Sequence, residues 1–277
     1  VKTVQPKLIF FENVKGFTQE FKKNSEQGIV YSKYVVDRLE KAGYFVFGEL
    51  VNFGEYGVPQ DRTRFLLFGI RKDIEGASEA VAKSFFSKLR HQRLDFLFIK
   101  NLPLWPTLGQ AISDLCLRHG SRVSSETDRF NTGVYGPTTG LYQRFMRKGG
   151  PKDVPDSHRF ANHSPEIRER LERILEYSKR NKTISDDLRM EWNLKKHRIV
   201  LLDSTTPSKT LTSNPDDLVH YSEPRSLTVR EYARIQTFPD WFELKGKYTT
   251  GGDRRKTDVP RFTQVGNSIP PIFGEQC

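Results

Sequence analysis

Apolar residues in the first 70 positions fall into short blocks whose spacing changes from block to block. Residues 8–11, Leu-Ile-Phe-Phe, are apolar without interruption, which suits a strand buried on both faces of a sheet. Glu12 and Asn13 follow at its carboxyl end, where open α/β sheets bind ligands. Over 32–42 the spacing becomes helical, with Tyr34, Val35, Leu39 and Ala42 on one side and Gly43 as terminator. Strands are predicted again over 44–53 and 64–70, and the turn-rich stretch 54–59 between them would let them pair as neighbours. Strand, helix and strand in this order predict an α/β sheet of the doubly wound kind, with an unpaired apolar edge on the first strand that needs cover.

Over 72–221 the pattern loosens into short elements, glycines, prolines and scattered charges. One helix stands out: Ser164 as N-cap, Pro165 and Glu166 in the first turn, and Ile167, Leu171, Ile174 and Leu175 as its apolar face. The glycine-rich stretches 131–140 and 148–152 fit either surface turns or loops that follow a nucleic-acid backbone. A second helix start is written at Thr228, which forms a capping box with Glu231, while Leu227 and Tyr232 take the staple positions and Pro239 closes the element. Arg230 and Arg234 are one turn apart on it and would project together.

Composition narrows the classes. In 277 residues, 36% hydrophobic content allows one large domain or two modest ones, and no window has the roughly 18 apolar residues of a membrane span. Two cysteines, Cys116 and Cys277, exclude a disulfide framework and a four-thiolate zinc site within the chain, and a reducing compartment fits. Cys116 lies in an amphipathic run, 107–117, and reads as core. His158 and His163, five apart, suit neither one helix face nor a paired strand, so no metal site is expected. The charge of +11, from 45 Lys and Arg against 34 Asp and Glu, would attract a polyanion with a steep salt dependence.

Several residues could carry chemistry. Glu12, beside an apolar run, is partly desolvated and suited to holding or sharing a proton, although the same position also suits an acid that caps the next segment. Gln60, Arg62 and Arg64 recur every second residue, so in strand geometry all three share a face; a row of guanidinium groups suits an anionic intermediate, and equally a solvated basic edge. The stretch 248–256 combines glycines with three cations, as in loops that grip phosphate; Thr250, Gly251, Gly252, Arg254 and Arg255 are candidates for that contact, with Arg225, Arg230 and Arg234.

Four strings occur in a telling order: Phe11-Glu-Asn-Val-Lys-Gly-Phe17, Gly57-Val-Pro-Gln-Asp-Arg-Thr-Arg-Phe65, the stretch 225–239 around Leu227-Thr-Val-Arg-Glu-Tyr232, and Gln264-Val-Gly-Asn-Ser-Ile-Pro-Pro271. Together they resemble the later motifs of the DNA cytosine-5 methyltransferases, and the resemblance covers nearly the whole chain. It implies the C-terminal part of a class I, Rossmann-like S-adenosylmethionine-dependent catalytic domain at 1–73, a target-recognition region at 74–222, and at 223–277 a supporting helix and a final motif that returns to the catalytic domain. Glu12 would contact a flipped cytosine, Asn13 would fix its orientation, Arg64 would face the base with Arg62 in support, and Asn267 with Ser268 would lie near the cofactor.

In the implied reaction a cysteine thiolate adds to carbon 6, Glu12 stabilises the ring nitrogen, carbon 5 takes the methyl group, and elimination restores aromaticity. The chain has no Pro-Cys-Gln string and no glycine-rich cofactor loop after a first strand. The expectation is therefore the second half of an enzyme of a prokaryotic, cytoplasmic restriction-modification system. It would act on double-stranded DNA and be inactive until a partner chain or upstream segment supplies the cysteine and cofactor loop. The alternative is a non-catalytic DNA-binding or assembly module descended from such an enzyme, with salt-sensitive DNA binding and no activity under any complementation.

Overall fold

The predicted strand pair is the centre of the first sheet. In the computed structural model, which describes residues 1–21, 29–194, 196, 198–249 and 257–277, β1 (Leu8–Val14), α1 (Tyr31–Lys41), β2 (Tyr44–Asn52) and β3 (Thr63–Arg71) follow in chain order. The sheet order is β1-β3-β2, and β3 runs antiparallel to both neighbours. Thus β1 and β2 share a direction, are linked through α1, and hold β3 between them. Helix α1 ends as predicted, with Ala42 as C-cap and Gly43 at φ +90°, a conformation that residues with a Cβ rarely adopt.

Side-chain alternation assigns the two faces. Ile9 and Phe11 of β1, with Val46, Phe65 and Leu67, join Val35, Val36 and Leu39 of α1 in one apolar cluster. On the other face Phe85 of α2 (Glu79–Ile99) stacks on Phe68 at 4.5 Å and meets Phe10 edge-on at 6.0 Å. The expectation that 8–11 is buried on both faces needs correction: Leu8 is 55% exposed and Phe10 40%. Ile9 and Phe11 are packed under α1, while the opposite face carries Phe85 beside Phe10 and leaves Leu8 open. Helix α2 also lies where the sequence pattern looked irregular.

The chain divides into two compact units, 1–53 with 62–96 and 276–277, and 54–61 with 97–275. The first unit reaches 96 because Phe85 and Phe86 bind α2 to the first sheet, and 223–275 groups with the second unit.

In the second unit, α3 (Leu108–Ile112) carries a Thr107/Gln110 capping box. A ribbon of β4 (Ser121–Val123) and β5 (Asn131–Gly133) follows, then α4 (Leu141–Arg147) and α5 (Pro165–Tyr177), the latter with the predicted Ser164 cap accepting from the Ile167 N–H. Leu171, Ile174 and Leu175 of α5 pack with Trp192, Ile199 and Leu201. Helix α6 (Val229–Ile235) has the predicted Thr228/Glu231 box and no exposed side chain. It packs against α3 and α7 (Arg261–Asn267), and α8 (Pro271–Gln276) follows. Among the described residues no helix is long and apolar enough to cross a membrane.

Candidate active site and nucleic-acid interface

In the first unit, register brings the chemistry together. Val14 lies opposite Arg64 in the β1/β3 ladder, and Glu12, two residues before Val14, therefore shares the face and sits diagonal to Arg64. The Arg64 Nε donates to Glu12 Oε1 at 3.0 Å, with 12% and 21% of the two side chains exposed. Arg62 immediately precedes β3: its N–H donates to Asn52 Oδ1 at 3.3 Å and its carbonyl accepts from the Phe53 N–H at 3.0 Å. Arg62 is 2% exposed, and burial, then the like charge of Arg64, push its pKa down to about 10 against the opposing pull of Glu12. Burial likewise lowers the pKa of Arg64, offset in part by Glu12. One carboxylate and two guanidinium groups thus sit on one face at one end of a rigid sheet, with Glu12 the counter-ion of Arg64.

Two details differ from expectation. β1 runs through Val14, so Glu12 and Asn13 lie within the strand, held by ladder partners Leu66 and Phe65. Alternation then turns Asn13 to the face opposite Glu12, and its Oδ1 accepts from the Val14 N–H at 2.8 Å; it does not orient the glutamate. Gln60 belongs to the second unit, where it is fully buried, donates to Gln236 Oε1 at 2.6 Å and accepts from the Leu211 N–H at 3.1 Å. It has a structural role there.

The second unit corrects the largest group of assignments. Arg225, Arg230 and Arg234 were expected at DNA phosphates, yet they are 5%, 0% and 0% exposed. Arg225 makes a two-pronged contact with Glu231 at 2.7 and 2.8 Å and also binds Glu223. Arg230 donates to Asp156 Oδ2 at 2.9 Å and to the Asp156 and Phe242 carbonyls. Arg234 is clamped between Asp240 at 2.6 Å and Asp114 at 3.1 and 3.2 Å. These charges are spent inside the fold, and withdrawing them toward a phosphate would strand buried carboxylates. Nothing in the local sequence announces it, because Asp114 and Asp156 are 120 and 74 residues away from their partners.

The stretch 131–140 is also structural at two positions: a Cβ on Gly133 would intrude on the His158 ring and one on Gly136 on the His119 ring. Thr250, Gly251, Gly252, Arg254 and Arg255 lie outside the described residues. Asn267, the last residue of α7, is exposed and so can offer its amide to a cofactor. Ser268 is half-buried, its hydroxyl already donating to the Val265 carbonyl at 2.7 Å, which leaves only its acceptor capacity.

Cys116 is buried, its thiol pushed up to about 11 by burial, and lies 3.3 Å from the Tyr221 hydroxyl. It forms a close trio with His220 and Glu223. The trio does not make an open ligand set: the Ser222 N–H donates to His220 Nδ1 at 3.2 Å, which leaves the proton on Nε2 toward Glu231, and Arg225 already neutralises both glutamates.

The comparisons agree with the motifs. Residues 1–276 match the family model described as C-5 cytosine-specific DNA methylase. Type II methyltransferase M.XorII of Xanthomonas oryzae pv. oryzae is 26% identical over 298 residues, covering 99% of this chain and 58% of that protein. The chain therefore spans less than two thirds of the length of that relative. Type II methyltransferase M.AquIB of Picosynechococcus sp. is 33% identical over 124 residues, 43% of this chain and 81% of that protein. A solved structure of a prophage-encoded DNA modification methyltransferase of E. coli shares the fold, with TM-score 0.57, 23% identity, and coverage of all of this chain and 69% of that one.

Proposed function

We propose, for a chain that belongs to the C-5 cytosine-specific DNA methylase family, that it is the base-binding and DNA-recognition portion of a larger or two-part cytosine-5 methyltransferase of a type II restriction-modification system. Its sheet is then the C-terminal part of a Rossmann-like sheet, and the exposed side of β1 is where the remainder of the catalytic domain packs. The observation that carries the reading is the Glu12–Arg64 pair with Arg62 beside it, in a chain that holds no Pro-Cys-Gln string. M.AquIB supports it, since a methyltransferase chain of which 124 aligned residues make up 81% is short.

The chemistry follows from charge. Addition of a thiolate to carbon 6 of an extruded cytosine places negative charge on the ring, and Glu12 would hydrogen-bond the ring nitrogen as that charge develops. Arg64 fixes the carboxylate from its Nε side, and the buried charge of Arg62 adds a positive field at no reorganisation cost. S-adenosylmethionine, when bound, supplies the methyl group, and Asn267 is the described residue of the final motif whose amide is free to contact it.

The test mixes the chain with a polypeptide carrying the cysteine and cofactor loop. Alone the chain retains duplex DNA, with retention falling as salt rises, and transfers no label from methyl-labelled cofactor; mixed, it transfers label to cytosine. Failure of every such mixture to transfer label refutes the reading in favour of a non-catalytic module.

A further inference from the structure

Four buried arginines of the second unit are neutralised: Arg225, Arg230, Arg234 and Arg261 each bind a carboxylate. Arg159 does not follow that pattern. Its guanidinium carbon lies 4.0 Å from the ring centre of Phe130 and 3.8 Å from that of Tyr248, and one Nη donates to Thr127 Oγ1 at 3.3 Å. The nearby carboxylate, Glu126, is committed to Arg261 at 2.9 Å and to the Tyr248 hydroxyl at 2.8 Å. Arg159 is half-buried, so its plane is fixed by two rings while its charge has no ion-pair partner among the described residues.

Its place in the backbone matters equally. Arg122 of β4 lies opposite Thr132 of β5, and Thr132 bridges in turn to Arg159. The Phe160 N–H donates to the Asn131 carbonyl at 2.9 Å and the Gly133 N–H to the His158 carbonyl at 3.0 Å, which ties Arg159 alongside β5 through a single bridge. Arg122 and Arg159 thus flank Thr132 on one face of a short ribbon whose β4 edge is exposed throughout. A two-stranded ribbon such as β4–β5 fits the major groove of B-DNA, and the edge of a held guanidinium matches paired acceptors.

The geometry points to Arg159 as a specificity-determining residue that reads the O6/N7 edge of a guanine in the recognised DNA; this rests on the DNA-methylating reading above. Paired acceptors also occur on a phosphate group, and the two sources separate by experiment. Because the rings hold the fork in place beforehand, little side-chain freedom is lost on contact, and the fork rather than the charge is the feature that counts.

The full chain is used to select from a randomised duplex library, then compared with Arg159→Lys, which keeps the charge and stem but loses the fork, and with Arg159→Ala, each checked for folding by thermal melting. The wild type is expected to enrich a G·C pair at one position; Arg159→Lys should lower discrimination there by roughly tenfold to a hundredfold while retaining binding to scrambled duplex and its salt slope. Equal weakening on all duplexes, or an unchanged preference in a folded Arg159→Lys, overturns the assignment, the first result marking a phosphate contact. A wild-type chain that retains no duplex at any salt refutes the parent reading and this proposal together; one that binds, with Arg159→Lys unchanged, refutes this proposal alone.

Discussion

Replacement of Arg234 by Met separates structure from recognition most sharply in the second unit. The guanidinium donates to Asp240 twice at 2.6 Å, to Asp114 at 3.1 and 3.2 Å and to the Ala111 carbonyl at 3.0 Å, with all three side chains 0% exposed. Removing the cation leaves two buried carboxylates without their main counter-ion, a change that costs about 3–5 kcal/mol for a buried pair. Partial relief comes from neighbours already in place: Arg147 at 3.6 Å from Asp114, and Arg230 at 3.9 Å and the Tyr135 hydroxyl at 2.5 Å from Asp240. The loss should therefore stay near one broken pair instead of doubling. With a urea dependence of about 1–3 kcal/mol per molar, the unfolding midpoint of the second unit falls by about 1–5 M. Replacing Asp114 and Asp240 by apolar residues as well should recover most of it. The assay is urea unfolding followed by tryptophan fluorescence, since Trp192 is buried in this unit. A shift equivalent to under about 1 kcal/mol, together with lost DNA binding by a folded variant, would refute the buried-network argument and restore Arg234 to the DNA interface.

Other outcomes are as specific. Burial pushes His158 down to about 4 and His220 down to about 3 from an ordinary 6.5, so both are neutral in the fold while the unfolded chain protonates them. Stability is fully present above pH 6.5 and is lost as pH falls from there toward 4 and 3; at pH 5 the loss is on the order of 2 kcal/mol per histidine, readable as lower urea midpoints at pH 5 than at pH 7. Gly133→Ala forces a Cβ against His158, whose ring is bonded at 2.8 Å to both Thr228 Oγ1 and the Leu115 carbonyl and cannot yield, so about 1–3 kcal/mol is expected by the same assay.

What the sequence disclosed was local, and what it concealed depended on distant partners. The strand pair of β2 and β3, the Gly43 stop and the caps at Ser164 and Thr228 all follow from neighbours in sequence, and each forms. Glu12 and Arg64 were each legible as candidates, but their contact was not, because only the β1/β3 ladder brings them together. Arg230 and Arg234 were misread for a like reason: helical spacing correctly put them on one side, but whether that side is wet is set by Asp114, Asp156 and Asp240 from other segments. Helix α2 shows a third limit. Its buried positions Ala82, Phe86 and Leu89 keep helical period, but Phe85, Phe96 and Phe98 fill the gaps and blur the amphipathic signal.

The central proposal is that Glu12, held by Arg64, completes a base-binding pocket whose thiolate lies outside residues 1–277. Methyl transfer by the complemented enzyme, compared between wild type and Glu12→Gln at saturating cofactor, tests it directly. The account predicts a rate lowered by a factor of about 10²–10⁴ with DNA retention unchanged. Near-normal transfer by Glu12→Gln contradicts it.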